Sequence, residues 1–489
     1  MTNRKIGLLV PLFSLPSRYG IGDLGKECEV FIDILHAHKL VLWQLLPLSP
    51  INEENSPYSA LASCGIDFLY ISLERLREDG YDLELSNTVK TPKRVEYTKV
   101  RARKRAVLLS AFIQFNAKKE LTEFDTFIKS NPWVNGVSAF LAKFYFFGET
   151  KWNTWKELEI EDNQELNFEY HFQRWCQFIA INQFERIKKY AHMKGVELIG
   201  DIPFYVGFNS VEVYANKELF LLDSNDNHNP AWQSGVPPDY FSATGQNWRN
   251  PIWNWQLLEE QDYSLFNNRL LYSAKLFDYL RLDHFRAFDT YYVIPGKDET
   301  ALNGHWERLN GYKIFDSLYK EYPKAKFICE DLGGDMNERI PLLRDHYELP
   351  GMKVIEFTIL DDYAVGYNFI RYTGTHDNEP LKSWFEHNGH EDKMKIKNLL
   401  EKSELKEYFR NTDSDFEPSI TQQLIAYFLK TTTYLGIISI VDLLELGGKE
   451  NRINLPGTIA NFNWSFRFRN LCEVDRKLRL YNIDFLDLE

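Results

Sequence analysis

Cysteine is scarce and scattered. The 489 residues hold five, Cys28, Cys64, Cys176, Cys329 and Cys472, and no two form a CxxC pair. That excludes a disulfide framework and a zinc ribbon, and it suits reduced thiols in the cytoplasm. Positive charge is also short: 57 Lys and Arg against 70 Asp and Glu leave a net charge of −13. Nucleic acid and anionic membrane surfaces are therefore poor choices of main partner. No apolar run approaches the ~20 residues that a membrane span needs. The opening MTNRKIGLLVPLF has a short apolar run broken by Pro11 and no small-residue cleavage pattern after it. It reads as a first strand rather than a leader. No phosphate-cradling glycine loop and no nucleotide fingerprint is present, so no cofactor is implied. The basic run KVRARKR at 99–105 reads as a solvated helix face.

Aromatic residues, by contrast, make up 15% of the chain, with 12 Trp, 27 Tyr and 35 Phe. They build cores, and they also make flat platforms for ligands with apolar faces. Eight apolar runs end in polar or turn residues: 6–13, 41–48, 195–206, 279–285, 326–333, 352–360, 369–378 and 436–446. Amphipathic segments lie between most of them, and Gly195 stands where a helix C-cap is expected. Strand alternating with helix predicts a parallel sheet, and eight strands predict an α/β (β/α)8 barrel. A mostly helical insertion is expected over 53–174, and a cleft insertion with a lid loop over 207–278. The whole of 1–489 is expected to be one elaborated catalytic domain without internal repeats.

Acidic residues gather where these strands end: Asp201 in GDIP, Asp283 in RLDHF, Glu330 and Asp331 in CEDLG, and Asp377 in THDN. Active sites of such barrels form at the carboxyl ends of the strands. Strand alternation turns Arg281 and Asp283 to one face and Leu280 and Leu282 to the other. Carboxylates from several strands suit a divalent cation, a structural ion-pair network, or the acid, base and nucleophile of glycosidic chemistry. Arg281 disfavours the cation and would keep Asp283 ionised. His36, His38, His387 and His390 are expected as exposed surface histidines rather than a metal site, and no metal is assigned.

Several stretches resemble the amylomaltases, the 4-α-glucanotransferases or disproportionating enzymes of the α-amylase superfamily. They are SLPSRYGIGDLG (14–25), SPYSALAS (56–63), LIGDIPFYV (198–206), GVPPDYFSATGQNW (235–248), RLDHFRAFD (281–289), ICEDLGG (328–334), YTGTHDN (372–378) and LPGTIANFNW (455–464). They follow the family's order and span nearly the whole chain. The resemblance implies a retaining transferase that moves a segment of an α-1,4-glucan to the 4-hydroxyl of an acceptor. Malto-oligosaccharides, amylose and glucose would be its partners. By the same resemblance Asp283 is the nucleophile, Glu330 the general acid and base, and Asp377 a ligand of the sugar being distorted. Arg281, His284 and His376 hold the nucleophile and that sugar, and Asp201 orients its neighbours. Tyr58 stacks on sugar, while Phe241, Gln246 and Trp248 lie in a loop over the cleft and Asn463 and Trp464 close its far side. Ala287 and Arg249 replace glycines usual in the family, and Glu379 and Pro380 follow THDN where Asp-Thr is common. An α-amylase-like hydrolase and a non-catalytic glucan-binding protein are the rival readings.

Overall fold

A run of apolar residues with no polar alternation can become a strand only where both faces are covered. In the computed structural model, which describes residues 4–85, 92–117, 121–238, 242–332, 338–360, 368–410 and 416–483, all eight such runs hold a strand. The strands are β1 (Lys5–Leu9), β2 (Leu42–Gln44), β3 (Glu197–Ile202), β4 (Tyr279–Leu282), β5 (Phe327–Cys329), β6 (Gly351–Val354), β7 (Phe369–Tyr372) and β8 (Leu435–Ser439). They pair in parallel in the order β5-β4-β3-β2-β1-β8-β7-β6, so neighbours in the sheet are successive in the chain except where the last strand, β8, pairs with the first. This is the order of a (β/α)8 barrel with its seam between β5 and β6.

The seam is drawn together by few bonds. Cys329 N–H donates to Pro350 O at 2.8 Å. The Asp331 carboxylate accepts from Met352 N–H at 2.8 Å and from Arg344 Nη1 at 2.5 Å. Gly351 is needed there because a Cβ would collide with that carboxylate.

Between β2 and β3 the chain forms helices Leu73–Glu78, Tyr97–Asn116, Thr122–Ser130, Trp133–Phe146 and Gln164–Met193. The last shows why such segments fold locally. Asn163 accepts from Glu165 N–H and Leu166 N–H at 2.9 and 3.0 Å, capping the start. Phe172, Trp175, Cys176, Ile179, Phe184 and Ile187 form its buried stripe. Gly195, at φ +71°, lets Val196 N–H reach back to Ala191 O and ends it. No described helix is long and apolar enough to cross a membrane.

Three expectations are corrected. Gln246 and Trp248 lie not in a loop but on a strand, Gln246–Pro251, paired with Trp232–Val236. That hairpin joins Thr290–Pro295 and His305–Arg308 in a four-stranded antiparallel sheet, so segments from both sides of β4 brace each other. His38 is buried and paired with Asp475 at 2.8 Å rather than exposed. The 99–105 run is solvated only in part: Lys99 and Arg103 are exposed, but Lys104 is 1% exposed and donates to Asp23 Oδ2, Leu69 O and Ile71 O at 3.1, 2.7 and 2.8 Å.

Lys104 thus ties the inserted helix Tyr97–Asn116 to the segment after β1. Burial pushes Asp23 up and Lys104 down, toward the neutral forms, and their mutual attraction opposes both shifts. Removing one partner of a buried pair leaves an uncompensated charge. Lys104→Met is expected to destabilise the fold by about 3–5 kcal/mol, read as a lowered thermal-melting midpoint. An unchanged midpoint would show that the pair contributes nothing net.

Candidate active site

Four carboxyl groups meet at the carboxyl ends of β3 to β5 and β7, and backbone register places them. Asp201 lies in β3 opposite Arg281 in β4. Beyond β4 the pairing continues: Asp283 N–H donates to Ile202 O, and Glu330 N–H to Leu282 O, each at 3.0 Å. Leu280 and Leu282 are buried on the outer face while Arg281 and Asp283 face inward.

Arg281 Nη1 donates to both oxygens of Asp201 at 2.9 Å and to Asp283 Oδ1 at 2.8 Å. Its side chain is 4% exposed, and burying a guanidinium without partners would be prohibitive. The positive charge that a metal ion would supply is already built into β4. Burial raises the Asp201 carboxyl, Arg281 opposes it, and the net position is about 6. The two carboxylates in turn hold Arg281 well above its usual range despite its burial. Tyr58 donates to Asp201 Oδ2 at 2.9 Å, so both oxygens of Asp201 accept hydrogen bonds from within the site.

Glu330 sits next to this pair. Burial raises its carboxyl most, Arg281 opposes, and Asp283 and Asp331 raise it further, leaving it at about 8. His284 N–H donates to its Oε2 at 2.9 Å. That bond needs the left-handed turn at His284, φ +51°, an uncommon conformation for a non-glycine residue. Burial drives the His284 imidazole down to about 4, so it is neutral near pH 7. Its buried Nε2 has no partner among the described residues. The Trp248 ring stands edge-on to it, with centroids 4.8 Å apart at 89°.

Asp377 has the opposite character. Desolvation raises it, but His376, Asn454 and Arg281 outweigh that and hold it at about 2. Asn454 Nδ2 donates to Asp377 Oδ1, and Arg452 Nη2 to Asp377 O, both at 2.6 Å. The Tyr58 ring stacks on His376, centroids 4.8 Å apart at 21°, with Trp464 5.4 Å from Tyr58.

All the expected residues described at the mouth therefore converge: Tyr58, Asp201, Arg281, Asp283, His284, Glu330, His376 and Asp377. Gln246 lies at the rim, accepting from Trp248 Nε1 at 3.2 Å. Phe241 lies outside the described residues. Asn463 braces its own loop: its Oδ1 accepts from Leu455 N–H at 3.1 Å and its Nδ2 donates to Thr458 O at 2.8 Å. It shapes the 455–463 loop, in which Gly457 approaches Gln246. Arg452 and Asn454 were missed. They lie just before the LPGTIANFNW motif and more than 70 residues from Asp377, where no local pattern announces the contact.

Comparison with known proteins agrees over the whole length. Residues 10–473 match a family model described as 4-alpha-glucanotransferase. The chain is 36% identical over 485 residues to a 4-alpha-glucanotransferase of Aquifex aeolicus, covering 95% of this chain and 96% of that one. It is 34% identical over 510 residues to a chloroplastic/amyloplastic 4-alpha-glucanotransferase of Solanum tuberosum, covering 97% of this chain and 85% of that one. The solved amylomaltase of Streptococcus agalactiae in complex with acarbose superposes with a TM-score of 0.88 at 30% identity, covering 98% of this chain and 100% of that one. With the barrel, the carboxyl cluster and these likenesses in agreement, the chain belongs to the 4-alpha-glucanotransferase family.

Proposed function

We propose that the chain cleaves an α-1,4 bond of a malto-oligosaccharide or amylose and transfers the released segment, with retention, to the 4-hydroxyl of another glucan or of glucose. One observation carries this reading: Asp283, ion-paired to Arg281, stands beside Glu330, whose carboxyl is raised to about 8 chiefly by burial. A carboxyl that keeps its proton beside one held in an ion pair suits an acid and a nucleophile. Asp283 attacks the anomeric carbon, the glycosidic bond breaks, and the departing oxygen takes the proton of Glu330. In the second half-reaction Glu330 accepts the proton of an acceptor hydroxyl. That oxygen then displaces the Asp283 carboxylate from the same carbon.

The other groups serve the sugar at the cleavage point. Asp377, ionised at neutral pH, accepts from its hydroxyls. Nε2 of the neutral His284 gains the partner it lacks. Trp248 and the 455–463 loop narrow access for water, which favours transfer over hydrolysis. Five unpaired thiols suit a reducing compartment such as the cytoplasm.

Incubation with maltotriose alone is expected to yield glucose and a ladder of longer chains, with the number of reducing ends nearly constant. Rising reducing ends with only shorter products would identify a hydrolase instead. Asp283→Asn should lower turnover on the order of 10⁴-fold while the protein still folds; substantial activity in a folded variant removes the nucleophile assignment.

Activity should fall as pH rises through about 8, where Glu330 loses its proton. The same shift has a sign for stability. A folded pKa raised from 4.5 to about 8 contributes stability that is present below 4.5 and lost as pH rises through about 8. Glu330→Gln, which cannot ionise, should therefore melt higher than the parent at about pH 9 and near the parent at about pH 4, with activity reduced ~10²–10⁴-fold. Equal melting shifts at the two pH values would contradict the assignment.

A further inference from the structure

One partly buried carboxyl at the barrel mouth has no part in the scheme above. Glu356 follows β6 in the short helix Ile355–Thr358 and accepts a hydrogen bond from Asn378 Nδ2. The other end of that amide is also in use: Asn378 Oδ1 accepts from Thr375 N–H at 2.8 Å and from Thr375 Oγ1 at 2.7 Å. Thr375 Oγ1 in turn accepts from Asp377 N–H at 3.3 Å. The amide of Asn378 thus clamps the turn that carries His376 and Asp377, and Glu356 fixes which way that amide points. On the other side Arg452 donates to Asp377 O and lies in the field of Asp377, Glu379 and Glu356.

We propose that Glu356 is a positioning residue whose carboxylate, acting through Asn378 and Arg452, holds the Thr375–Asn378 turn so that Asp377 meets the donor sugar. The inference rests on the reading of Asp377 as a sugar ligand. Ionised Glu356 gives Asn378 an unambiguous acceptor and attracts Arg452; the protonated form weakens both. The charged groups facing it among the described residues are Asp442 after β8, Glu379 and Arg452. Burial raises Glu356 most, Asn378 and Arg452 oppose, and Asp442 and Glu379 add to the rise, leaving it at about 7. Its charge is therefore lost within the working range, as pH falls through about 7.

The test is the pH profile of maltotriose disproportionation from about pH 5.5 to 8.5 for the parent, Glu356→Gln and Glu356→Ala, with melting curves to establish folding. Parent kcat/KM should drop several-fold as pH falls through about 7. Glu356→Gln keeps an acceptor without the charge, so it should lack the rise through about 7 and stay several-fold below the parent at about pH 8, while both share the fall toward higher pH set by Glu330. Glu356→Ala should lie below both at every pH, and the Gln variant decides alone where Ala fails to fold. A Gln profile that parallels the parent, whether at full or reduced height, overturns the inference. Asp377→Asn serves as the separate control: full activity there would remove the sugar-ligand reading, whereas an inactive Asp377→Asn with a parent-like Glu356→Gln removes only the role of Glu356.

Discussion

The mouth of the barrel is organised around one buried cation. Arg281 spans Asp201 and Asp283 from the middle of β4, and neither it nor Asp201 has another source of compensation as strong. Breaking a buried pair by deleting one partner costs about 3–5 kcal/mol, so the three groups hold one another in a single geometry. Tyr58 is drawn in through Asp201, and His376 through the face of Tyr58. The adjacency of β3 and β4 makes the arrangement reachable, β3 contributing Asp201 and β4 contributing Arg281, with Asp283 one residue beyond its end and still paired to Ile202 O.

From that centre the same environment gives different carboxyls different states. Asp283 faces the guanidinium, and the Asp377 carboxylate accepts from Asn454 and faces His376 at 3.4 Å, while Arg452 holds the Asp377 backbone carbonyl. Glu330 accepts two backbone N–H bonds, from His284 at 2.9 Å and Leu332 at 3.3 Å, yet it faces two other acidic groups, so burial dominates and it keeps its proton. Distance from Arg281 alone would not separate them; burial set against the balance of neighbouring charge does.

The barrel was legible because parallel strands covered on both faces must be written as apolar runs, and RLDHF broke that pattern with charge in the register that points inward. The carboxyl cluster was legible for the same reason. What stayed hidden depended on partners far away in the chain. Lys104 sits in a run whose composition suggests water, yet its amine is enclosed by Asp23 and the carbonyls of residues 69 and 71. The strand carrying Trp248 is set by the antiparallel sheet completed only beyond β4, by Thr290–Pro295, so the segment alone reads as a loop. The bracing of the 455–463 loop by the Asn463 amide likewise depends on a backbone turn that the motif does not spell out.

Closure of the barrel and the protonation of Glu330 share a residue. The β5–β6 seam lacks a strand ladder, and Asp331 bridges it by accepting from Met352 N–H while Arg344 anchors its other oxygen. A carboxylate used as a seam bond brings its negative charge with it, one residue from Glu330, where it adds to the upward push of burial. A backbone ladder at that point would close the barrel without supplying the charge. The gap in the sheet thus places beside the acid a group that favours its protonated form, and Arg344 keeps that group from being an unpaired charge itself.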